Sequence, residues 1–218
     1  MKECILIGGG SSIAYGRSLS LFEKIKDKEV WSINFAFLTM QFLPARQIFL
    51  DISFFRNNID KLQELYLKGV PCYTKKHNKY AGIPEIIQYE TTRNPNEMNS
   101  KMFVGRMGLS GIFALSLALK ENYDRIFILG FDFGSITNDK NTHYYQHELK
   151  VNSSGFGMPE LYVQNNQAKN EVQDFEIFQK EALIKNIKIY NISPLSRIDA
   201  FPKISYEEFF KLIEGEYV

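Results

Sequence analysis

Cysteine, tryptophan and histidine are scarce in this chain of 218 residues: it has two cysteines, one tryptophan and three histidines. Cys4 lies in an apolar run and Cys72 directly follows Pro71. Two cysteines without a spacing pattern exclude a disulfide framework and suit packing in a reducing compartment. Long apolar runs are also missing. The longest, residues 112–119, falls far short of the ~20 residues of a membrane span, so membrane insertion is not expected. The first seven residues run straight into a strand-like pattern, so no secretory leader is expected and the reading is a soluble, cytoplasmic protein. An excess of one charge is absent too. Lysine and arginine number 26, aspartate and glutamate 25, and the formal charge is +1. Both signs are spread along the chain, which excludes the basic footprint of a nucleic-acid binder. There is no internal repeat and no low-complexity tract.

What is present is an ordinary globular composition, 44% hydrophobic and 23% charged, with 18 phenylalanines and 12 tyrosines. Many of these rings stand beside expected strand ends, where a flat ligand could stack. The length fits a single domain able to sustain its own core.

Strand and helix patterns alternate from the start. Apolar runs at 4–7, 30–33 and 47–50 are short and β-rich, which predicts strands. A helical segment with Leu19, Phe22 and Ile25 along one side separates the first two. After Asp51, Phe55, Ile59, Leu62 and Tyr66 recur at helical spacing, and Gly69 marks the stop. A strand is expected at 70–74. Residues 75–101, rich in Asn, Lys, Thr and Pro, read as an excursion from the core. A buried helix over 109–120 leads into a strand at 125–129. The irregular stretch 135–167 has the length of a lid. Ala168, Val172, Phe175, Phe178 and Ala182 then mark an amphipathic helix, followed by a strand at 188–191. Ser205 and Glu208 form a capping box for a last helix carrying Tyr206, Phe209, Phe210 and Ile213. Apolar strands alternating with helices predict one α/β domain over 1–218, a Rossmann-like parallel sheet covered by helices on both faces. In such sheets ligands bind beyond the strand carboxyl ends, where the strand order reverses.

That rule selects the candidate residues. Gly8, Gly9, Gly10, Ser11 and Ser12 follow the first strand, where small residues let the backbone approach a phosphate; they serve equally as a tight strand-to-helix turn. The run matches neither a P-loop nor the full dinucleotide fingerprint. Asn34 and Asp51, one residue past their strands, suit a base, ribose hydroxyls or magnesium, or alternatively cap the next helix. Ser110 and Gly111 open the buried helix, as an anion site or as an N-cap. Asp132 closes its strand with the same two readings, ligand or loop tie. His143 and His147 stand four apart in the expected overhanging loop, with Tyr144 and Tyr145 between. A histidine there can take a proton from a hydroxyl. Without an HExxH pattern, zinc hydrolysis is unsupported and no metal site is assigned.

These motifs occur in the order Gly8-Gly9-Gly10-Ser11-Ser12, Asn34, Asp51-Ile52-Ser53-Phe54-Phe55, Ser110-Gly111, Gly130-Phe131-Asp132-Phe133, His143-Tyr144-Tyr145-Gln146-His147. As a set they resemble the family 42 bacterial sialyltransferases, and the motility-accessory and 6-hydroxymethylpterin diphosphokinase-like proteins look similar. The segments Tyr190-Asn191-Ile192-Ser193-Pro194 and Phe201-Pro202-Lys203-Ile204 resemble tails of this wider group, including phage-encoded versions. The resemblance implies a transferase using a nucleotide-activated donor, a glycosyltransferase that requires no cofactor. Gly8, Gly10, Ser12, Asn34 and Asp51 would hold the nucleotide, Ser110 the donor's carboxylate, and His147 would be the general base. Three positions depart from the sialyltransferase pattern: Gly9 and Asp51 replace asparagines, and Gly134 replaces a tyrosine that assists the leaving phosphate. Tyr144 or Tyr145 could substitute for it. The diphosphokinase-like alternative implies transfer from ATP to a pterin-like alcohol, with Mg2+ on Asp51 and Asp132. A third expectation is a non-catalytic nucleotide-binding protein, such as one encoded by a phage. A homo-oligomer formed through the aromatic-rich loops is compatible with all three.

Overall fold

Alternate residues of the first strand bury on opposite sides, so helices are needed on both. The computed structural model describes residues 1–80, 83, 86–92, 102–104, 110–132, 143–145, 149, 166–194 and 196–215. Their strands are β1 (Glu3–Ile7), β2 (Val30–Ile33), β3 (Arg46–Ile48), β4 (Cys72–Lys75), β5 (Ile86–Thr92), β6 (Met102–Val104), β7 (Arg125–Leu129) and β8 (Lys188–Asn191). They form one sheet in the order β6-β5-β4-β3-β2-β1-β7-β8, and every pairing is parallel. β1 is central, with Ile5 opposite both Val30 of β2 and Phe127 of β7.

The helices are α1 (Ser12–Ser18), α2 (Leu21–Ile25), α3 (Ile52–Leu67), α4 (Ser110–Lys120), α5 (Asn166–Ile184) and α6 (Tyr206–Glu214). On one face Cys4, Leu6, Trp31 and Ile128 pack with Ile112, Leu115 and Leu119 of α4 and with Phe175, Phe178 and Ala182 of α5. On the other, Ile5, Ile7, Val30 and Phe127 pack with Ile13, Phe22, Phe209 and Ile213 of α1, α2 and α6. Farther along that sheet, Phe49 and Cys72 meet Phe54, Phe55, Leu62 and Leu65 of α3. The α/β class with both faces covered is therefore observed. No helix among the described residues is long and apolar enough to cross a membrane.

Three elements differ from the sequence expectation. The helix after the glycine turn is two short helices, broken where Ser20 adopts the left-handed conformation at φ 62°. In α3 the apolar positions Ile59 and Tyr66 are exposed, while Phe54 and Leu65 carry the buried stripe with Phe55 and Leu62. Within the stretch read as an excursion, Ile86–Thr92 is a sheet strand beside β4, with Cys72 opposite Ile86. The stretch read as a lid lies outside the described residues except for 143–145, 149 and 166–167. The capping box of α6 is present, with Ser205 Oγ accepting from Glu208 N–H and Glu208 accepting from Ser205 N–H.

Candidate functional site

The strand order reverses between β1 and β7, and the loops leaving these two strands meet there. Gly8 donates its N–H to Leu129 O at 2.8 Å, and Gly10 donates to Gly130 O at 2.8 Å. Gly130 sits at φ +69°, a conformation glycine adopts without penalty. The turn has no room for side chains. A Cβ on Gly10 would lie 2.5 Å from the carboxyl carbon of Asp132, and one on Gly9 would lie 2.7 Å from the Tyr145 hydroxyl oxygen.

Asp132 is buried, and its carboxylate faces the start of α1. One oxygen accepts from Ser12 N–H at 2.8 Å and from Ser11 Oγ at 3.3 Å, and the other accepts from Ser12 Oγ at 2.6 Å. Because Ser12 gives its hydroxyl proton to Asp132, the 2.8 Å contact with Ser193 Oγ is one in which Ser193 donates. The segment after β8 closes the same corner. Ser196 Oγ donates to Phe131 O at 2.6 Å, Arg197 N–H to Asp132 O at 3.2 Å, and Tyr206 OH to Ser12 O at 3.2 Å. Asp132 thus ties the loop and takes the place at the start of α1 where an anion would be drawn.

The His-Tyr-Tyr segment rests on this turn. His143 forms an antiparallel bridge with Gly10, and Tyr144 donates its N–H to Gly9 O at 3.0 Å. The His143 and Tyr145 rings stack with centroids 5.2 Å apart, and the Tyr144 hydroxyl is 2.8 Å from Thr39 Oγ1. Burial holds the His143 imidazole below its ordinary pKa, against the opposing pull of the Asp132 carboxylate. It is therefore neutral near pH 7 and able to accept a proton. Burial also raises the Tyr145 hydroxyl, which stays protonated.

A second polar cluster lies at the ends of β2 and β3. Asn34 leaves β2 at φ 53°, a conformation asparagine tolerates better than most residues. Its Oδ1 accepts from Ser110 Oγ at 3.1 Å, and its carbonyl accepts from Gln47 Nε2 at 2.9 Å. Ser110 Oγ in turn accepts from Leu50 N–H at 3.1 Å, and Gln47 Oε1 accepts from Ser32 Oγ. Ser110 is buried, so its hydroxyl joins three elements. Asp51 caps α3, one oxygen accepting from both the N–H and Oγ of Ser53 at 2.8 Å. Gly111 lies under the Phe131 ring.

The structure therefore gathers Gly8, Gly9, Gly10, Ser11, Ser12, Asp132, His143 and Tyr145 at the reversal point. Asn34, Ser110 and Gly111 lie at the adjoining strand ends and Asp51 at the start of α3. His147, Phe133 and Gly134 lie outside the described residues. Two residues were not singled out from the sequence. Ser193 stands two residues past the carboxyl end of β8, a position that could have marked it. Phe35 follows Asn34 and is half-buried, its ring 5.6 Å from that of Tyr145 and 4.9 Å from that of Phe54. Among the described residues no group of three or more His, Cys, Asp or Glu side chains is placed to hold a metal ion. A groove of about 460 Å³ lies apart from this corner, between Met40–Pro44 and the end of α3 at Lys61 and Leu65, with Lys68 just beyond it.

Compared with known proteins, the chain matches no family model, no curated protein and no solved structure.

Proposed function

We propose that this protein is a transferase that binds a nucleotide-activated donor, a nucleotide sugar, where β1 and β7 diverge. A histidine of the segment 143–147 would act as general base. The observation that carries the reading is the seating of His143. Its backbone pairs with Gly10 at the strand-order reversal, where parallel α/β sheets bind their ligands, and burial keeps its imidazole neutral. The order of motifs along the chain supports a sialyltransferase-like arrangement with His147 as the base and His143 and Tyr145 beside it. The base would deprotonate the acceptor hydroxyl as that oxygen attacks the sugar's anomeric carbon and the nucleotide departs with the bonding pair.

One observation favours a second reading, nucleotide binding without turnover. Gly134 stands where the sialyltransferase pattern carries the tyrosine that assists the leaving phosphate, so that assistance is lacking at this position. On this reading the protein would act as a nucleotide sensor or sponge. The test is a thermal-shift screen with nucleotides and nucleotide sugars, with and without magnesium, followed by turnover assays of His143→Gln and His147→Ala. A ligand at a hundredfold excess over its Kd stabilises the native state by about 2.7 kcal/mol. A metal-independent shift with a cytidine or uridine sugar, and turnover lowered about 10²–10⁴-fold by His147→Ala, is the expected result. A shift with no turnover for any acceptor supports the second reading. A shift only with ATP and magnesium supports diphosphate transfer. No shift with any of these ligands removes the nucleotide site.

A further inference from the structure

Phe35 packs against the corner along its edges without being sealed by it. Its neighbours Phe54 and Tyr145 are only 4% and 5% exposed, whereas Phe35 is left half-buried at the rim. Its ring meets that of Phe54 at 81° and that of Tyr145 at 51°. Among the described residues none is stacked face to face upon it. An apolar ring kept partly in water forgoes burial energy unless something covers it.

The backbone that delivers this ring is held firmly. Asn34, immediately before it, is fixed in the left-handed region by bonds from Gln47 to its carbonyl and from Ser110 to its side chain. Two neighbouring elements, β3 and α4, thus set the direction in which the chain leaves β2. Phe35 is also locked to the catalytic candidates, since its ring touches Tyr145 and that of Tyr145 stacks on His143.

Position supplies the remaining argument. In open parallel sheets a bound nucleotide lies across the reversal point, with its nucleoside directed toward the strand beside the central one. Here that strand is β2, and its carboxyl end presents Asn34 and Phe35. We infer that Phe35 is the stacking platform for the base of the bound nucleotide. The inference rests on the nucleotide site proposed above and specifies its nucleoside end. Stacking accepts any planar base, because every base has a π-face. The ligand class at this position is therefore a nucleoside phosphate whose base is selected elsewhere.

The experiment compares Phe35→Leu, Phe35→Tyr and Phe35→Trp with the unaltered protein. Trp31 is the sole native tryptophan and is fully buried, so the F35W indole is a separate fluorescent reporter at the rim. Titrations use cytidine, uridine and adenosine monophosphates, with ribose 5-phosphate as the base-free control. We expect the nucleotides to quench the F35W indole and ribose 5-phosphate to leave it unchanged. Phe35→Leu should weaken nucleotide binding about tenfold or more, with Phe35→Tyr close to the unaltered protein. Ligand-free melting temperatures check that each variant folds; if Phe35→Leu does not, F35W quenching decides. Nucleotide binding to the unaltered protein with no F35W quenching, or no loss in a folded Phe35→Leu, overturns the platform and leaves the nucleotide site standing. Equal quenching by ribose 5-phosphate also overturns it. Absence of binding by every nucleotide overturns both.

Discussion

A half-buried histidine held below its ordinary pKa makes stability depend on pH in a fixed direction. In the unfolded chain the group titrates near 6.5, about its ordinary value. In the folded chain burial lowers it, so the folded state binds protons less readily than the unfolded one. The contribution of His143 is therefore complete above about pH 6.5 and is lost as pH falls from there toward the folded value. Urea midpoints measured between pH 5 and 7.5 should fall on the acid side, and His143→Gln should flatten that dependence. The same scale shows what the sequence discloses about a site. Asn34, Asp51, Ser110 and Asp132 are each recognisable as polar residues at strand ends or helix starts, yet each admits either a ligand or a local bond. Except at Asp51, which bonds Ser53 two residues on, the local bond depends on neighbours distant in the chain. Ser110 meets Leu50, 60 residues away, and Ser193 meets Ser12, 181 residues away. No spacing rule reaches across such intervals.

Among the elements, the loops after β1, β7 and β8 hold one another through Asp132. Replacing it with alanine leaves the Ser12 N–H and two serine hydroxyls without their acceptor in a part-buried setting. The cost of leaving such groups unsatisfied is about 1–3 kcal/mol. Asp132→Ala should lower the urea-unfolding free energy by that amount. Asp132→Asn, which keeps an acceptor oxygen, should lose less. Strands β2, β7 and β8 have the bounds the apolar pattern indicates; in β2 and β7 nearly every residue is buried and apolar or small. β5 is hidden for the opposite reason. Gln88 and Glu90 interrupt its apolar run, and most of the strand is half-buried or exposed, so the period is lost. The break between α1 and α2 is equally silent, since the turn falls on Ser20 without glycine or proline.

At the scale of the whole molecule, the reversal point and the opposite end of the sheet are stabilised differently. At the amino ends of the strands, Arg46 is paired with Glu121 and lies 4.3 Å over the Trp31 ring. Trp31 also meets Tyr123 edge to face at 5.7 Å. The sole tryptophan thus reports on the central strands β1, β2 and β3. Its emission should shift to the red in one urea transition coincident with the loss of far-UV circular dichroism, as for a domain unfolding as a unit. Separate transitions would show that the sheet does not unfold as one. The position of β1 also governs the birth of the protein. Of its two sheet neighbours, β2 lies close behind it in the chain, but β7 begins only at Arg125 and Ser193 later still. At about 5–20 residues per second on the ribosome, the 181 residues between Ser12 and Ser193 take roughly 10–40 s to synthesise. One side of the apolar strand β1 waits unpaired until β7, 122 residues on from Glu3, has been made. Yield of folded protein should consequently be governed by what shields β1 during translation, and the corner holding His143 is completed only when the last strand has been made.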